Sequence, residues 1–331
     1  METLNDSCVK GKRILLLYAR FFGYDKIVKT QLEKLGAHVD LFDARANIST
    51  YEKAILKITP AFYIRKQIKF HEKIQNEKKD TRYDFIFTNE NLDKEILLGY
   101  KKVFPDAKLI LYLDDSAKNL RHVEKTFRYY DKVMTFDRSD SQKYDIFFRP
   151  LFFNELLSSK VKISVQEKYN ICFIGTVHSD RLNVIDKLLC ANKMDNCFLY
   201  LYLQSPFMYF YYFLTNKVFR KYRKDDFEYN QLSMNDVAEK MLESKIILDI
   251  QHPQQTGLTM RTIETIGIGK KIITTNSDIK NYEFYNPSNI QIIDRNNPRI
   301  EESFFDMPFE PLSEEVYNKY SINGWIETVF N

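Results

Sequence analysis

From Ile246 to Asn276 the chain reads IILDIQHPQQTGLTMRTIETIGIGKKIITTN, with a cation, an acid and several amides at spacings that can work together. Arg261 and Glu264 stand three apart, which puts them on one face of a helix. On the first turns of a helix behind a parallel sheet, such a pair could hold a phosphate and a sugar hydroxyl. A surface ion pair on an ordinary crossover helix has the same spacing. Gln251, His252, Gln254, Gln255 and Thr256 crowd the loop just before, followed by Gly257. Side-chain amides can bond sugar hydroxyls or the edge of a base, and a solvated polar loop would also contain them.

A second group is Gly175-Thr176-Val177-His178-Ser179-Asp180-Arg181. Glycine lets a backbone approach a ligand closely, and a helix that follows points unpaired N–H groups at an anion. Arg181 could pair with a diphosphate. A plain turn with Ser179 or Asp180 capping the helix uses the same residues. Asp114 and Asp115 end an apolar run, where an acid could take a proton from an attacking hydroxyl. Capping by Asp115 or Ser116 is the structural alternative. Glu90, Asp43, Tyr18, Arg20 and Gly23 follow other such runs.

These residues need elements to position them. Ile246 to Ile250 and Ile272 to Thr275 read as buried strands, with a helical pattern between them ending at Gly269, a residue suited to the left-handed position past a helix. Upstream, strands are expected at Arg13–Tyr18, His38–Phe42, Tyr83–Thr88, Lys108–Leu113, Lys132–Phe136 and Ile146–Arg149. Helices are expected near Asp25–Leu35, over 51–79 and over 93–104. A second series opens with a strand at Tyr169–Ile174, a loop at Gly175–Ser179, a helix at Asp180–Cys190 and a strand at Asn196–Leu203, and closes with a strand at Asn289–Ile293. Alternation of this kind predicts parallel sheets with right-handed crossovers. The polar stretch at 150–168 marks the boundary: a first domain over 1–155, a second over 165–310, and a C-terminal helix over 311–331. In such sheets ligands bind at the carboxyl ends of strands, here in a cleft between the domains.

Composition narrows the function. The chain has 331 residues, enough for two domains. Its 49 basic and 45 acidic residues leave a net charge of +4, too balanced to indicate nucleic acid. Its four cysteines (Cys8, Cys172, Cys190, Cys197) have no metal-type spacing and read as buried free thiols of a reducing cytosol. The start, METLNDSCVKGKR, lacks the apolar core of a signal peptide, and no apolar run is long enough to span a bilayer, so a cytoplasmic protein is expected. There is no G-x-G-x-x-G after the first strand, no phosphate-loop motif, no Asp-x-Asp and no HExxH, so neither a metal nor a cofactor is expected. Residues 206–224, PFMYFYYFLTNKVFRKYRK, join aromatic rings to a basic end. Rings favour the bilayer interface and cations favour anionic headgroups, so attachment to the inner face of a membrane is one reading. A helix wedged into the core is the other.

Four segments carry a resemblance. GLTMRTIETIGIGKKIITTN resembles the donor-binding signature R-x-x-E-x-x-x-x-G-K of two-domain GT-B glycosyltransferases, and FIGTVHSDR resembles the F-(I/V)-G-x-x-x-x-x-R opening of their nucleotide-binding domain. LYLDDSAKN and FDRSDSQKYDIFFRPLFF are similar to segments of CgeB-like and lipopolysaccharide or capsule biosynthesis transferases. The likeness covers most of 108–295. It implies an α/β fold of two Rossmann-like domains, with the acceptor on the first, a nucleotide-sugar donor on the second, and a C-terminal helix able to cross back. It also implies that Glu264 bonds the ribose, that Arg261 and Arg181 neutralise the diphosphate, and that the Gly257 region approaches the sugar. Gly175, Thr176, His178, Gln255 and Thr256 complete the expected donor site, with Asp114 or Asp115 as base. The acceptor would be a glycan or lipid-linked glycan of the cell surface. Many retaining members carry a second glutamate eight residues before the first; here that position is Thr256, which leaves the stereochemistry open. A nucleotide-sugar epimerase of the same fold and a non-catalytic sugar- or nucleotide-binding module are the alternatives.

Overall fold

The structure, a computed structural model, describes residues 7–20, 22–47, 60–120, 122–154, 165–192 and 195–331. The chain divides into two compact units, Met1–Pro150 with Ile322–Asn331, and Leu151–Ser321.

The first unit is a parallel sheet. Its elements in chain order are β1 (Arg13–Leu17), α1 (Tyr24–Lys34), β2 (His38–Phe42), α2 (Pro60–Lys78), β3 (Phe85–Thr88), α3 (Lys94–Val103), β4 (Lys108–Leu113), β5 (Lys132–Thr135), α4 (Arg138–Tyr144) and β6 (Phe147–Phe148). The strand order is β2-β1-β3-β4-β5-β6, and every pairing is parallel. A parallel sheet is covered on both faces, so its strands must be apolar throughout rather than alternating. Ile14 to Leu17 and Leu109 to Leu113 meet that demand and are buried without exception. The helix expected over 51–79 runs from Pro60, and residues 51–59 lie outside the described residues.

The second unit has β7 (Tyr169–Thr176), α5 (Arg181–Asn192), β8 (Cys197–Tyr202), α6 (Pro206–Thr215), α7 (Met234–Leu242), β9 (Ser244–Asp249), α8 (Met260–Gly267), β10 (Lys271–Thr274), β11 (Ile290–Ile292), α9 (Glu302–Asp306) and α10 (Glu314–Tyr320). Its five parallel strands are ordered β11-β10-β9-β7-β8. Gly175 and Thr176, expected in a loop, instead finish β7, because they pair with Leu201 and Tyr202 of β8. Gly269 stands at φ 64, the left-handed position past α8. Gly267 answers a different need. A Cβ there would lie 2.4 Å from Cγ of the buried Phe153, so only glycine lets the ring pack on the helix backbone.

The C-terminal segment departs from expectation. It is not one helix: α10 ends at Tyr320, Ser321 is extended, and α11 (Ile322–Phe330) follows. Tyr317 of α10 packs on Phe153 and donates to the Gly267 carbonyl in the second unit. α11 belongs to the first unit, where buried Trp325 meets the rings of Phe87 and Tyr112 edge-on at 5.7 and 5.1 Å. All four cysteines are free, but only Cys172 is fully buried; Cys190, on α5, is exposed.

Candidate functional site

In the second unit the carboxyl ends of β7, β9 and β10 carry a cluster of cations, imidazoles and amides. Arg181 opens α5 and turns back over the sheet edge, donating from Nε to the Ile250 carbonyl at 2.6 Å and from Nη1 to the Thr176 carbonyl at 3.0 Å. Arg295, in the loop after β11, donates to Asp180 at 2.7 Å, to the Gln251 carbonyl at 2.8 Å and to Thr275 Oγ1 at 3.0 Å. Burial and the nearby Arg295 lower the pKa of Arg181, with Asp249 opposing. An arginine stays charged under that pressure, so the sheet edge holds two guanidiniums side by side. His178 and His252 lie beside them with ring centres 5.7 Å apart. Burial, then Arg181 and His252, push the His178 pKa down to about 4. His178 is therefore neutral at pH 7, able both to donate and to accept a hydrogen bond.

The helix α8 is positioned by its own sequence. Thr259 caps it, accepting from the Thr262 N–H at 3.2 Å. Asp249, at the end of β9, accepts from the hydroxyls of Thr259 at 2.9 Å and Thr262 at 2.7 Å. Two threonines at cap and N3 thus bind the helix start to the strand before it. The polar loop leading in is organised by Asn276, whose amide donates to the carbonyls of Thr256 at 2.9 Å and Gly257 at 3.4 Å. Gln255 donates to the Gly257 carbonyl at 3.1 Å. The loop is held, not merely solvated.

Arg261 and Glu264 form an ion pair of 2.8 Å with side chains 19% and 7% exposed. The surface-pair alternative is excluded by that burial. Arg261 also points Nη1 at the Met241 sulfur, 2.8 Å away, and its charge opposes the burial that pushes the Cys172 thiol of β7 up to about 12. Its surroundings are α7 and the middle of β7, whereas Arg181 lies against the ends of β7 and β9. The two arginines expected to share a diphosphate are held in different settings. Arg295 takes the place beside Arg181. The sequence signal for it is a cation two residues after the strand expected at Asn289–Ile293 (QIIDR), the kind of position that faces the carboxyl edge of a parallel sheet.

In the first unit the expected acids separate. Asp115 is exposed and caps the turn after β4, accepting from the Ser116 N–H and from Asn119, each at 2.8 Å. Asp114 is half-buried and accepts from Asn89 Nδ2 at 2.8 Å, while Asn89 accepts from the Ala19 N–H. This connects the ends of β1, β3 and β4. Burial chiefly, with Glu90 and Asp115 adding repulsion, raises the Asp114 pKa to about 7, against the Asn89 hydrogen bond and Arg45. Glu90 itself is ion-paired to Arg45. Among the described residues no group of histidine, cysteine and acids could hold a metal ion, and no helix is long and apolar enough to cross a membrane.

No family model matches the chain, and no curated protein does. Solved structures do. AviGT4, a glycosyltransferase involved in avilamycin A biosynthesis, aligns over 96% of this chain and 95% of its own with a TM-score of 0.60 at 11% identity. Alr3699/HepE of Anabaena, in complex with UDP and glucose, aligns over 96% and 97% with a TM-score of 0.58 at 12% identity. An alpha-glucosyltransferase in complex with UDP and a mismatched DNA aligns over 97% and 93% with a TM-score of 0.56 at 16% identity. The fold is accordingly the two-domain α/β fold of GT-B glycosyltransferases.

Proposed function

We propose that the chain is a glycosyltransferase that moves a sugar from a nucleotide donor to a glycan acceptor without a metal. The observation that carries this reading is the paired Arg181 and Arg295 at the carboxyl edge of the second sheet, beside a neutral His178 and the held loop 251–257. A nucleoside diphosphate is a leaving group whose charge must be stabilised as it departs, and two fixed guanidiniums do this without reorganising. The similar structures bound to UDP support the same chemistry. In this reading the second unit is the donor unit, with Gly175, Thr176, Gln255, Thr256 and Gly257 around the nucleotide-sugar. Glu264, oriented by Arg261, bonds the ribose. The first unit receives the acceptor, and Asp114 is the base for its hydroxyl. Asp115, engaged as a cap, is the weaker choice. The acceptor is a surface glycan of the lipopolysaccharide or capsule class, or its lipid-linked precursor, met on the cytoplasmic side.

An epimerase would need free acids beside the two histidines. Asp180 is held by Arg295, and Asp249 by Thr259 and Thr262. A thermal-shift panel of UDP-, GDP-, CMP- and dTDP-sugars tests the reading, since a ligand at about 100 times its Kd adds about 2.7 kcal/mol to the native state. A shift with one nucleotide class, absent in Arg295→Ala, is the expected result. No shift with any donor overturns it.

A further inference from the structure

The helix α6 has two faces of different fate. Tyr209 is buried, its ring tilted against those of Phe227 and Phe213 at 5.5 and 5.8 Å, and Tyr212 stacks on Phe219 at 4.8 Å. This inner face is core. The outer face carries Phe207 and Leu214, each 74% exposed, with Phe210 at 54% and Tyr211 at 51%. These positions are i, i+3, i+4 and i+7, one continuous stripe along a helix. No charged residue interrupts the ten residues of α6. Its end is closed by Arg220, which donates to the carbonyls of Phe213 at 3.1 Å and Leu214 at 3.3 Å. Lys217, Lys221, Arg223 and Lys224 lie in the same turn region and are all exposed; Lys221 pairs with Asp186 at 2.6 Å and Arg223 with Asp226 at 3.6 Å, while Lys224 lies over the Phe210 ring at 5.9 Å. Isolated exposed apolar residues need no explanation, but four in one stripe beside Lys217, Arg220 and Lys224 do.

We propose that α6 and the segment 217–224 form a docking surface for an anionic lipid bilayer, the stripe lying in the headgroup boundary and the cations on acidic headgroups. The inner face is the core helix that the sequence allowed; the proposal concerns the outer face alone. The charge decides the occupant. A second copy of the chain in a closed dimer would set this patch against itself, and so bring a second set of the same cations onto the first. A bilayer of acidic lipid offers the opposite sign together with an apolar interior, where aromatic rings and basic side chains settle at the boundary. The inference does not rest on sugar transfer, since none of these residues belongs to the donor cluster.

Co-sedimentation with phosphatidylglycerol–phosphatidylcholine vesicles, and with phosphatidylcholine alone, tests it. The wild-type chain should bind the acidic vesicles and release partly as salt rises. Phe207→Ser with Leu214→Ser should bind at least about tenfold more weakly. Lys217→Glu with Lys224→Glu should lose the salt-sensitive part while keeping the wild-type melting temperature. Transfer to a soluble acceptor should persist in both, which separates failure of docking from failure of the transferase reading. The proposal is overturned if wild type ignores acidic vesicles at low salt, if either variant binds them as wild type does, or if light scattering shows a dimer that the stripe variant abolishes.

Discussion

Arg295 donates to Asp180 across 2.7 Å, tying the loop after β11 to the residue that precedes α5. Through its second nitrogen it also reaches the Gln251 carbonyl and Thr275 Oγ1, so one guanidinium holds together the loops after four strands. Replacing it by alanine should weaken nucleotide-sugar binding about 10- to 100-fold, the worth of charge-assisted hydrogen bonds of about 1.5–3 kcal/mol. Arg295→Lys should recover only part, because an ammonium lacks the planar fork. Isothermal titration with the donor measures both. Wild-type affinity in both variants would place the nucleotide elsewhere.

Asp114 should write its own titration into the rate. A base works when ionised, and burial raises this carboxyl to about 7. The value of kcat/KM should therefore climb with pH up to about 7 and level off above it. Asp114→Asn should lower it by about 10²–10⁴-fold and erase that limb. A limb that survives the substitution assigns it to another group.

The link between Asp249 and Thr262 should be worth stability. Thr262→Val keeps the shape and removes one of two hydroxyls that the buried carboxylate accepts. The cost should be about 1–3 kcal/mol, seen as a lower urea midpoint with an unchanged slope.

Gly267→Ala should go against the usual sign. In a helix, alanine ordinarily gains about 1 kcal/mol over glycine. Here the added carbon meets the Phe153 ring at 2.4 Å, and overpacking should turn that gain into a loss of about 1–3 kcal/mol. Chemical denaturation of the pair of proteins decides the sign.

Acid should destabilise the first unit through His71. It is fully buried between the Tyr100 hydroxyl and the Ala44 carbonyl, and burial pushes its pKa down to about 4. The unfolded chain takes up a proton below about 6.5 that the folded chain refuses. Stability should fall as pH drops from about 6.5 towards 4, by about 3 kcal/mol in full. His71→Gln should flatten that slope in melting curves taken across the range.

The central strands were readable in the sequence because they are continuous apolar runs, and a parallel sheet covered on both faces permits little else there; the edge strands β2 and β11 carry Asp40 and Gln291 within them. β6 was readable only as a place: two residues, Phe147 and Phe148, pair where four were expected. The split at Ser321 was not readable, since Val316, Tyr317, Tyr320, Trp325 and Val329 keep a helical period across it. Only long-range packing assigns Tyr317 and Trp325 to different cores. Side-chain settings were the least readable. Arg261 and Glu264 share a helix face, as spacing required, but no spacing says that the face is buried against Met241. Nor does it say that Asp115 closes a turn while its neighbour Asp114 has its pKa raised to about 7.

The placement of α11 bears on how the protein is made. A ribosome delivers the chain from its amino end, and an amino-terminal domain ordinarily closes its core while the rest is still being synthesised. Here Trp325, Ile326, Val329 and Phe330 fill the first unit's core from Ile322–Asn331, which follow the second unit in the chain. Until translation has passed them, Phe87 and Tyr112 lack the indole that covers them. The unit begun first is therefore completed only after the second unit has been synthesised.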